Sequence, residues 1–293
     1  MTRSPARPAA RKPLREAPPR AGESMKSLRG ALRLLMEFTG EQPTFTIGEL
    51  AARSGMGKSH VSKVIAAFVE SGLLAQDPRS RALSVGARAF VLGARFINYD
   101  RLAREAMPVM REILQRTGHS TRLSVLDGDR VLYLVGMEGP MFVDTGWRVG
   151  TWLPAHSTTA GRVLLAFADE RRVASLLRRP LTRLTEHTVT DRRVLERLLA
   201  RIRTTGYDIQ RNETTQGLGT IGAPVFDASQ AVTGVLSIAF PSHVVARGEE
   251  QPFVDALHAG ARALSQRLGC PVYPFGGARP PRPPAGRATA PSR

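Results

Sequence analysis

Two helix-forming segments separated by a glycine-containing turn limit what residues 46–71 can fold into. Thr46 and Glu49 have the T-x-x-E spacing of a capping box, in which each side chain accepts a hydrogen bond from a free backbone amide. A short helix therefore begins here, and the glycines of residues 54–57 end it. The next helix, predicted for residues 58–71, has its apolar residues on one face: Val61, Val64, Ile65, Phe68 and Val69. Two short helices joined in this way are typical of a helix-turn-helix.

The flanking segments extend this unit. Residues 25–39 carry an apolar stripe at helical spacing, made of Leu28, Leu32, Leu35 and Phe38. A stripe of this kind needs another apolar surface to pack against. Two alternating segments, 73–76 and 82–85, flank the sequence DPRSR at 77–81, which predicts a hairpin with a basic tip. We therefore predict a winged helix-turn-helix over residues 24–86.

The N-terminal half of the second helix is basic and rich in hydrogen-bonding groups. Its outward residues are Lys58, Ser59, His60, Ser62 and Lys63. A recognition helix enters the major groove with its N-terminal residues foremost, where such side chains contact phosphates and base edges. Arg79 and Arg81 at the hairpin tip would contact the flanking backbone or the minor groove. The sequence thus predicts a DNA-binding surface. The alternative is a three-helix interaction domain whose polar face is only solvated.

The overall charge agrees with a polyanionic partner. The 293 residues include 42 Lys and Arg against 25 Asp and Glu, a formal net charge of +17. Charge alone does not choose between nucleic acid and an anionic membrane. No apolar run approaches the length of about 20 residues that crosses a bilayer, and no signal-peptide core follows the N-terminus. We expect a cytoplasmic protein that binds double-stranded DNA and no membrane.

Both ends of the chain have the composition of disordered segments. Residues 1–23 and 274–293 are rich in proline, alanine and arginine and contain few large apolar side chains. The C-terminal segment carries Arg279, Arg282, Arg287 and Arg293 without a balancing acid. We predict a basic arm and a basic tail, which either add non-specific DNA affinity or are simply solvated.

Little in the sequence indicates a cofactor, a metal or catalysis. Cys270 is the single cysteine, and the six histidines have no metal-ligand spacing. His156 and Ser157 are adjacent, but no G-x-S-x-G elbow is present. Residues 55–59, GMGKS, lack the first glycine of a nucleotide-binding P-loop. We predict neither an enzyme nor a cofactor.

The C-terminal half mixes helical and strand-like patterns. Helices are predicted over 102–117, 160–168, 192–204 and 249–268, and strands over 121–126, 130–135, 220–225 and 232–240. A D-G-D turn joins the first two strands as a hairpin. This order predicts an α+β domain with an antiparallel sheet over residues 102–273.

One loop of this half resembles an anion site. In HSTTAGR, small polar residues lead into a helix, so the amides of Thr159, Ala160 and Gly161 would face outward at the positive helix end. Such a start is suited to a carboxylate. The alternative is a helix cap with a packing role only.

Six segments together resemble the IclR family of transcriptional regulators: SLRGALRLL (27–35), TIGELAARSGMGKSHVSKVIAAFVESGLL (46–74), LSVGARAFVLG (83–93), RVGTWLPAHSTTAGRVLLAF (148–167), GYDIQRNETTQGLGTIGAPVFD (206–227) and VTGVLSIAFP (232–241). The resemblance covers residues 27–270. It implies a winged helix-turn-helix, a linker helix over 87–101 and a GAF-like effector-binding domain. We expect homodimers or homotetramers on a pseudo-palindromic operator.

The resemblance also implies a ligand site. Family members bind effector carboxylates through amides at the positions of Thr159 and Ala160. Other pocket positions correspond to Gln210, Leu218, Thr220, Ser237 and Ala239. Here Gln210 replaces an acid of some relatives, Thr220 a cysteine and Ala239 a serine, which disfavours the smallest keto acids.

The run GRVLLA, with Arg162 where lysine is usual, resembles the subgroup that controls aromatic-acid catabolism, including the β-ketoadipate pathway. We expect an aromatic or dicarboxylic acid as effector. Arg148 and Arg162 are candidate anion ligands, although surface positions are favoured in so basic a chain. Trp147 and Trp152 either wall the pocket or, as we favour, fill the core. A second hypothesis is that this half only oligomerises and binds nothing.

Overall fold

A computed structural model describes residues 21–40, 42–141 and 148–276. The chain divides into two compact units, Met1–Leu92 and Gly93–Arg293. The predicted basic arm up to residue 20 and the arginines from Arg279 onward lie outside the described residues. The boundary predicted for the tail was too early, because Phe275 packs against Phe226 with ring centroids 6.2 Å apart. The described fold therefore extends to Gly276.

The first unit is a winged helix-turn-helix, as predicted. Its elements are α1 (Ala21–Met36), a 3-10 turn (Glu37–Thr39), α2 (Ile47–Ser54), α3 (Lys58–Glu70), β1 (Leu74–Gln76) and β2 (Leu83–Val85). The strands β1 and β2 pair antiparallel, and Phe45 bridges to Leu83 at the edge of this small sheet. The core consists of Leu34, Phe45, Leu50, Val61, Ile65, Leu74 and Leu83.

Local chemistry sets the ends of α2. The Thr46 hydroxyl accepts a hydrogen bond from the Glu49 amide at 3.2 Å, and the Glu49 carboxylate accepts one from the Thr46 amide at 2.7 Å. At the other end Gly55 adopts φ 69°, a left-handed conformation that favours glycine. The capping box and the glycine stop therefore form as the sequence predicted.

Only part of the stripe predicted on α1 contacts the core: Leu35 and Phe38 pack against it. Leu28 and Leu32 are 52% and 50% exposed, whereas Leu34 is fully buried. Gly30 lies against Met56, since a Cβ there would come within 3.0 Å of the Met56 methyl group. The part of α1 that packs within this unit thus includes Gly30 and Leu34, and the first half of the predicted stripe is exposed.

The second unit is built on one antiparallel sheet. The helix α4 (Ala87–Tyr99) contains the division between the units, and the rest of the chain follows it. The further elements are α5 (Arg101–Thr117), β3 (Ser120–Asp127), β4 (Arg130–Met137), β5 (Trp152–Pro154), a 3-10 turn (Ala155–Ser157), α6 (Thr159–Ala166), α7 (Glu170–Leu177), α8 (Arg192–Thr205), β6 (Asp208–Arg211), β7 (Leu218–Phe226), β8 (Val232–Pro241) and α9 (Gln251–Arg267).

The strand order is β5-β4-β3-β8-β7-β6, and every pairing is antiparallel. Helices α5 and α9 cover one face, where they pack on Ile221, Leu236 and Ile238. Helix α6 covers the other face, and α7 and α8 share with it a core that Val131 and Val235 of the sheet join. The predicted α+β class with an antiparallel sheet is confirmed. Elements β5, β6 and α7, which have three, four and eight residues, were not predicted from the sequence.

Candidate functional site

The first candidate surface is the N-terminal half of α3. Val61 and Ile65 are buried against the core, so the residues between and before them face outward. Lys58, Ser59, His60, Ser62 and Lys63 are all exposed. The helix has no acid in its first turn, and Gly57 at its N-cap makes no side-chain hydrogen bond. The amides of His60 and Val61 donate to the Gly57 carbonyl, so the first-turn amides of Lys58 and Ser59, together with the lysine side chains, are the donors open to an anionic partner.

The hairpin between β1 and β2 brings two more arginines to the surface. Asp77 orders its tip, because one carboxylate oxygen accepts hydrogen bonds from the amides of Arg79 at 3.0 Å and Ser80 at 2.6 Å. The Ser80 amide and hydroxyl hydrogen bonds lower the pKa of Asp77, so it stays ionised. Arg79 and Arg81 are exposed on this rigid turn. The tip is a fixed, basic projection.

The second candidate site is a cavity on the face of the large sheet that α6 covers. Strand register aligns its floor: Thr220 lies opposite both Gln210 and Ala239, and Ser237 lies opposite both Arg122 and Gly222. Cross-strand partners share one face of a sheet. Residues more than 100 positions apart therefore line one cavity: Arg122, Tyr133, Arg148, Leu153, Thr158, Thr159, Gln210, Thr214, Leu218, Thr220, Ser237 and Ala239.

Helix α6 begins at this cavity. Thr158, its N-cap, accepts a hydrogen bond from the Gly161 amide at 2.9 Å. The prediction that Gly161 presents a free amide is therefore wrong. Within the described ranges, no hydrogen bond is found to the amides of Thr159 and Ala160. Of the predicted cradle, Thr159 lines the cavity, and Ala160 follows it as a buried residue of α6.

Gly161 has a packing role instead. A Cβ at this position would lie 2.6 Å from the carbonyl carbon of Ala155, which is backbone and cannot rotate away. We expect Gly161→Ala to destabilise the protein by about 2 kcal/mol, as overpacking a tight core does. Chemical denaturation followed by circular dichroism would measure this. Gly93→Ala is the control: a Cβ at this position of helix α4 has nothing within 4 Å, so we expect no loss of stability. A Gly161→Ala protein as stable as the parent would contradict the packing argument.

Polar side chains continue from the helix start across the floor. The Thr159 and Thr220 hydroxyls lie 3.1 Å apart. Gln210 donates through Nε2 to Thr220 at 3.0 Å and to Thr214 at 3.3 Å. Three predicted positions, Thr159, Gln210 and Thr220, thus form one network. Three further predicted positions, Leu218, Ser237 and Ala239, also line the cavity.

Three lining residues carry chemistry that pattern analysis missed or misjudged. Arg122 is 6% exposed and donates to Glu138 at 3.0 Å. Arg148 donates to Thr215 at 2.8 Å. Burial raises the pKa of Tyr133 against the opposing effect of both guanidinium groups, so its hydroxyl stays protonated. The cavity volume is about 20 Å³, room for roughly one water molecule, and an organic acid would require the lining to open.

Two expectations about large side chains are corrected. Arg162 is not a surface residue: it is 1% exposed and pairs with Asp208 and Glu213. Trp152 does not fill the core, because it lies half-buried on the edge strand β5 and donates to Asp127 at 2.9 Å. Trp147 lies outside the described residues.

The residues weighed for catalysis do not form a catalytic pair. The Ser157 hydroxyl donates to the Pro154 carbonyl, and His156 Nε2 lies 2.9 Å from the Thr182 carbonyl. Among the described residues, no group of three or more His, Cys, Asp or Glu side chains is placed to hold a metal ion. The described helices include none that is long and apolar enough to span a membrane.

Two family profiles match the chain. The bacterial transcriptional regulator IclR C-terminal profile covers residues 95–266, and the IclR helix-turn-helix domain profile covers residues 27–78. This chain belongs to the IclR family. It is therefore a DNA-binding transcriptional regulator rather than an enzyme, and its C-terminal unit is of the kind that binds small-molecule effectors.

Similar proteins span nearly the whole fold. The HTH-type transcriptional regulator KdgR of Escherichia coli is 33% identical over 242 residues, 82% of this chain and 92% of KdgR. An IclR transcriptional regulator from Alicyclobacillus acidocaldarius has a crystal structure that superposes with TM-score 0.76 at 28% identity, covering 83% of this chain and 99% of that one. An IclR homolog from Microbacterium hydrocarbonoxydans, crystallised with 4-hydroxybenzoate, gives TM-score 0.72 at 26% identity, covering 83% and 98%.

Proposed function

We propose that this IclR-family regulator reads its operator with α3 and the β1–β2 hairpin. The exposed residues Lys58, Ser59, His60, Ser62 and Lys63 contact phosphates and base edges in the major groove. Arg79 and Arg81 contact the flanking backbone or minor groove. The assignment is supported by the exposure of these side chains, by the acid-free start of α3 and by the rigid basic hairpin tip.

The effector we propose is an aromatic or dicarboxylic acid bound in the cavity at the start of α6. The observation that carries this proposal is the pair of unpartnered amides, Thr159 and Ala160, at a positive helix end beside the Arg122 and Arg148 side chains. Gln210, Leu218, Thr220 and Ser237 shape the remaining wall. A carboxylate at the amides would be stabilised by the helix end and by charge-assisted hydrogen bonds.

A thermal-shift panel tests the effector class. A ligand that binds only the folded state stabilises it by RT ln(1 + [L]/Kd), so a true effector raises Tm with increasing concentration. The panel comprises 4-hydroxybenzoate, benzoate, succinate and adipate, with benzyl alcohol as the uncharged control. A shift with an acid and none with benzyl alcohol supports the proposal. Shifts with none of the acids would favour the alternative that this unit only oligomerises.

We further propose that the protein binds a pseudo-palindromic operator as a homodimer, or as a homotetramer formed from two dimers. Helix α4, within the proposed linker helix of residues 87–101, carries large exposed apolar side chains: Phe90, Val91, Leu92, Phe96 and Tyr99. Helix α1 also exposes large apolar side chains: Met25, Leu28, Leu32 and Met36. Surfaces of this kind are typical of protein interfaces. Effector binding would bias the dimer between arrangements of different DNA affinity through this helix.

Phe90→Asp tests the dimer surface. Phe90 is 77% exposed, so the substitution should leave the fold intact while placing a carboxylate in the proposed apolar interface. We expect a shift from dimer or tetramer toward monomer at micromolar concentration, measured by size exclusion with light scattering. Val272→Asp, at another exposed apolar position of 64% exposure, is the control. An unchanged mass for Phe90→Asp would remove α4 from the interface.

A further inference from the structure

Arg162 is a charged side chain placed where water does not reach. It is 1% exposed, and its partner Asp208 is fully buried. A buried ion costs several kcal/mol unless it is paired and hydrogen-bonded, and a buried pair is weak evidence for stability by itself. The role of Arg162 is therefore sought in the segments that its hydrogen bonds hold in place.

Every nitrogen of the guanidinium is engaged. Nε donates to the His156 carbonyl at 2.8 Å, in the turn that precedes α6. Nη1 and Nη2 donate to the two carboxylate oxygens of Glu213, and Nη1 also lies 3.5 Å from Asp208. Burial opposes the charge, but the Asp208 and Glu213 carboxylates raise the pKa of Arg162 above its ordinary value. The charged guanidinium thus joins the turn before α6 to the segment that contains Asp208 and Glu213.

Asp208 is held from a second side. Arg201 Nη2 lies 2.9 Å from the Asp208 carboxylate, and its own side chain is 46% exposed. Two arginines thus face two acids, so the cluster is formally neutral. Among the described ion pairs, only those of Arg162 join Asp208 with Glu213, so Arg201 is a control that changes a charge next to Asp208 without breaking this connection.

Glu213 in turn fixes the segment that walls the cavity. Its amide donates to Gln210 Oε1 at 2.9 Å, and its carbonyl accepts from the Thr188 hydroxyl at 2.7 Å. The next residue, Thr214, lines the cavity and accepts from Gln210. Thr215 accepts the hydrogen bond of Arg148. The position of Glu213 therefore sets the positions of Thr214 and Thr215 in the cavity wall.

We propose that Arg162 is a positioning residue of the effector cavity: through the fork on Glu213 it fixes residues 212–217 against the start of α6, and thereby sets which acids the cavity accepts. The proposal rests on the effector site proposed above. It assigns no contact between Arg162 and the effector. The guanidinium is suited to the task because it is planar and bidentate, whereas a lysine ammonium reaches one point.

The first test compares Arg162→Lys with Arg201→Lys, which make the same chemical change on either side of Asp208. Amide hydrogen exchange of the ligand-free, full-length protein reports opening of each segment. We expect Arg162→Lys to speed exchange over residues 212–217 by about tenfold, and Arg201→Lys to leave that segment near the parent rate. Circular dichroism confirms that both variants are folded. Equal rates in the parent and Arg162→Lys would overturn the proposal.

A double-mutant cycle shows whether the effect runs through Glu213. Glu213→Gln keeps the shape of the side chain but removes its charge. If Arg162 acts through Glu213, the exchange effects of Arg162→Lys and Glu213→Gln over residues 212–217 are non-additive, and the double variant resembles the stronger single one. Additive effects would mean that Arg162 stabilises the unit generally, and the positioning role would be overturned.

Binding of 4-hydroxybenzoate and adipate to the same variants tests the effect on selectivity. We expect Arg162→Lys to change the ratio of the two affinities by about tenfold, whereas Arg201→Lys leaves the ratio unchanged. An unchanged ratio with faster exchange would overturn the selectivity claim. If the parent binds neither acid, the proposed function fails for these acids, while exchange over residues 212–217 still decides whether Arg162 positions the wall.

Discussion

Replacing Lys58 and Lys63 together with alanine weakens binding to a mixed-sequence DNA duplex and flattens its dependence on salt. Each lysine on a phosphate releases counterions, so the slope of log K against log salt concentration becomes less steep by about 2 for the pair. Both side chains are exposed at the start of α3, so their loss leaves the buried face of Val61 and Ile65 untouched. Fluorescence anisotropy over a salt series measures the slope.

The matched control removes the same two charges from the second unit. Arg171 and Arg193 are exposed on α7 and α8, far in sequence from the helix-turn-helix. Their double alanine variant keeps the parent slope if DNA contact is confined to the first unit. If the α3 variant and the control have equal slopes, the surface of α3 is wrongly assigned and the general charge of the chain accounts for binding.

Thr159→Pro abolishes most acid binding, whereas Thr159→Ala retains most of it. Thr159 is the first residue of α6, where proline is well accommodated, and the preceding Thr158 has the extended conformation that proline requires (φ −115°, ψ 148°). Proline removes the amide donor, while alanine removes only the hydroxyl that meets Thr220. A hydrogen bond to a charged group contributes about 1.5–3 kcal/mol, so Thr159→Pro should bind at least tenfold more weakly than Thr159→Ala.

Titration calorimetry with 4-hydroxybenzoate and adipate measures the difference. Circular dichroism and Tm establish that both variants fold, which separates loss of the donor from loss of the helix. Equal affinities of the proline and alanine variants would mean that the amide of Thr159 takes no part in binding. The carboxylate would then have to be held by the arginine side of the cavity.

The DNA-binding unit was readable from the sequence because its signals are local. The capping box joins residues three apart, and the left-handed Gly55 follows directly on the last turn of α2. The core face of α3 repeats every three or four residues. The stripe on α1 was correct only in its second half: Leu35 and Phe38 pack against the core, but Leu28 and Leu32 remain exposed within this unit. Periodicity does not tell a core contact from an interface.

Only some of the cavity residues could be predicted from the sequence. The helix start at Thr158–Gly161 was visible as small polar residues before an apolar run, yet which of its amides is free depends on the Thr158 hydroxyl, which takes the Gly161 amide. Arg122 gave no local signal, because its place beside Ser237 follows from pairing of strands β3 and β8. Family resemblance supplied Gln210, Leu218, Thr220 and Ser237 as expectations that spacing alone does not give.

What the sequence determined by itself was the winged helix-turn-helix, its basic face, and the place where α6 begins. These follow from interactions between residues within one or two helical turns. The tertiary structure decided that Arg162 is buried rather than on the surface, that Gly161 packs rather than binds, and that Arg122 lines the cavity. The contacts of Arg162 and Arg122 join residues 46 to 115 positions apart, which strand register and burial bring together, whereas the packing of Gly161 on Ala155 depends on the conformation of the 3-10 turn before α6. Neither composition nor periodicity contains that information, since it arises only when distant segments are packed together.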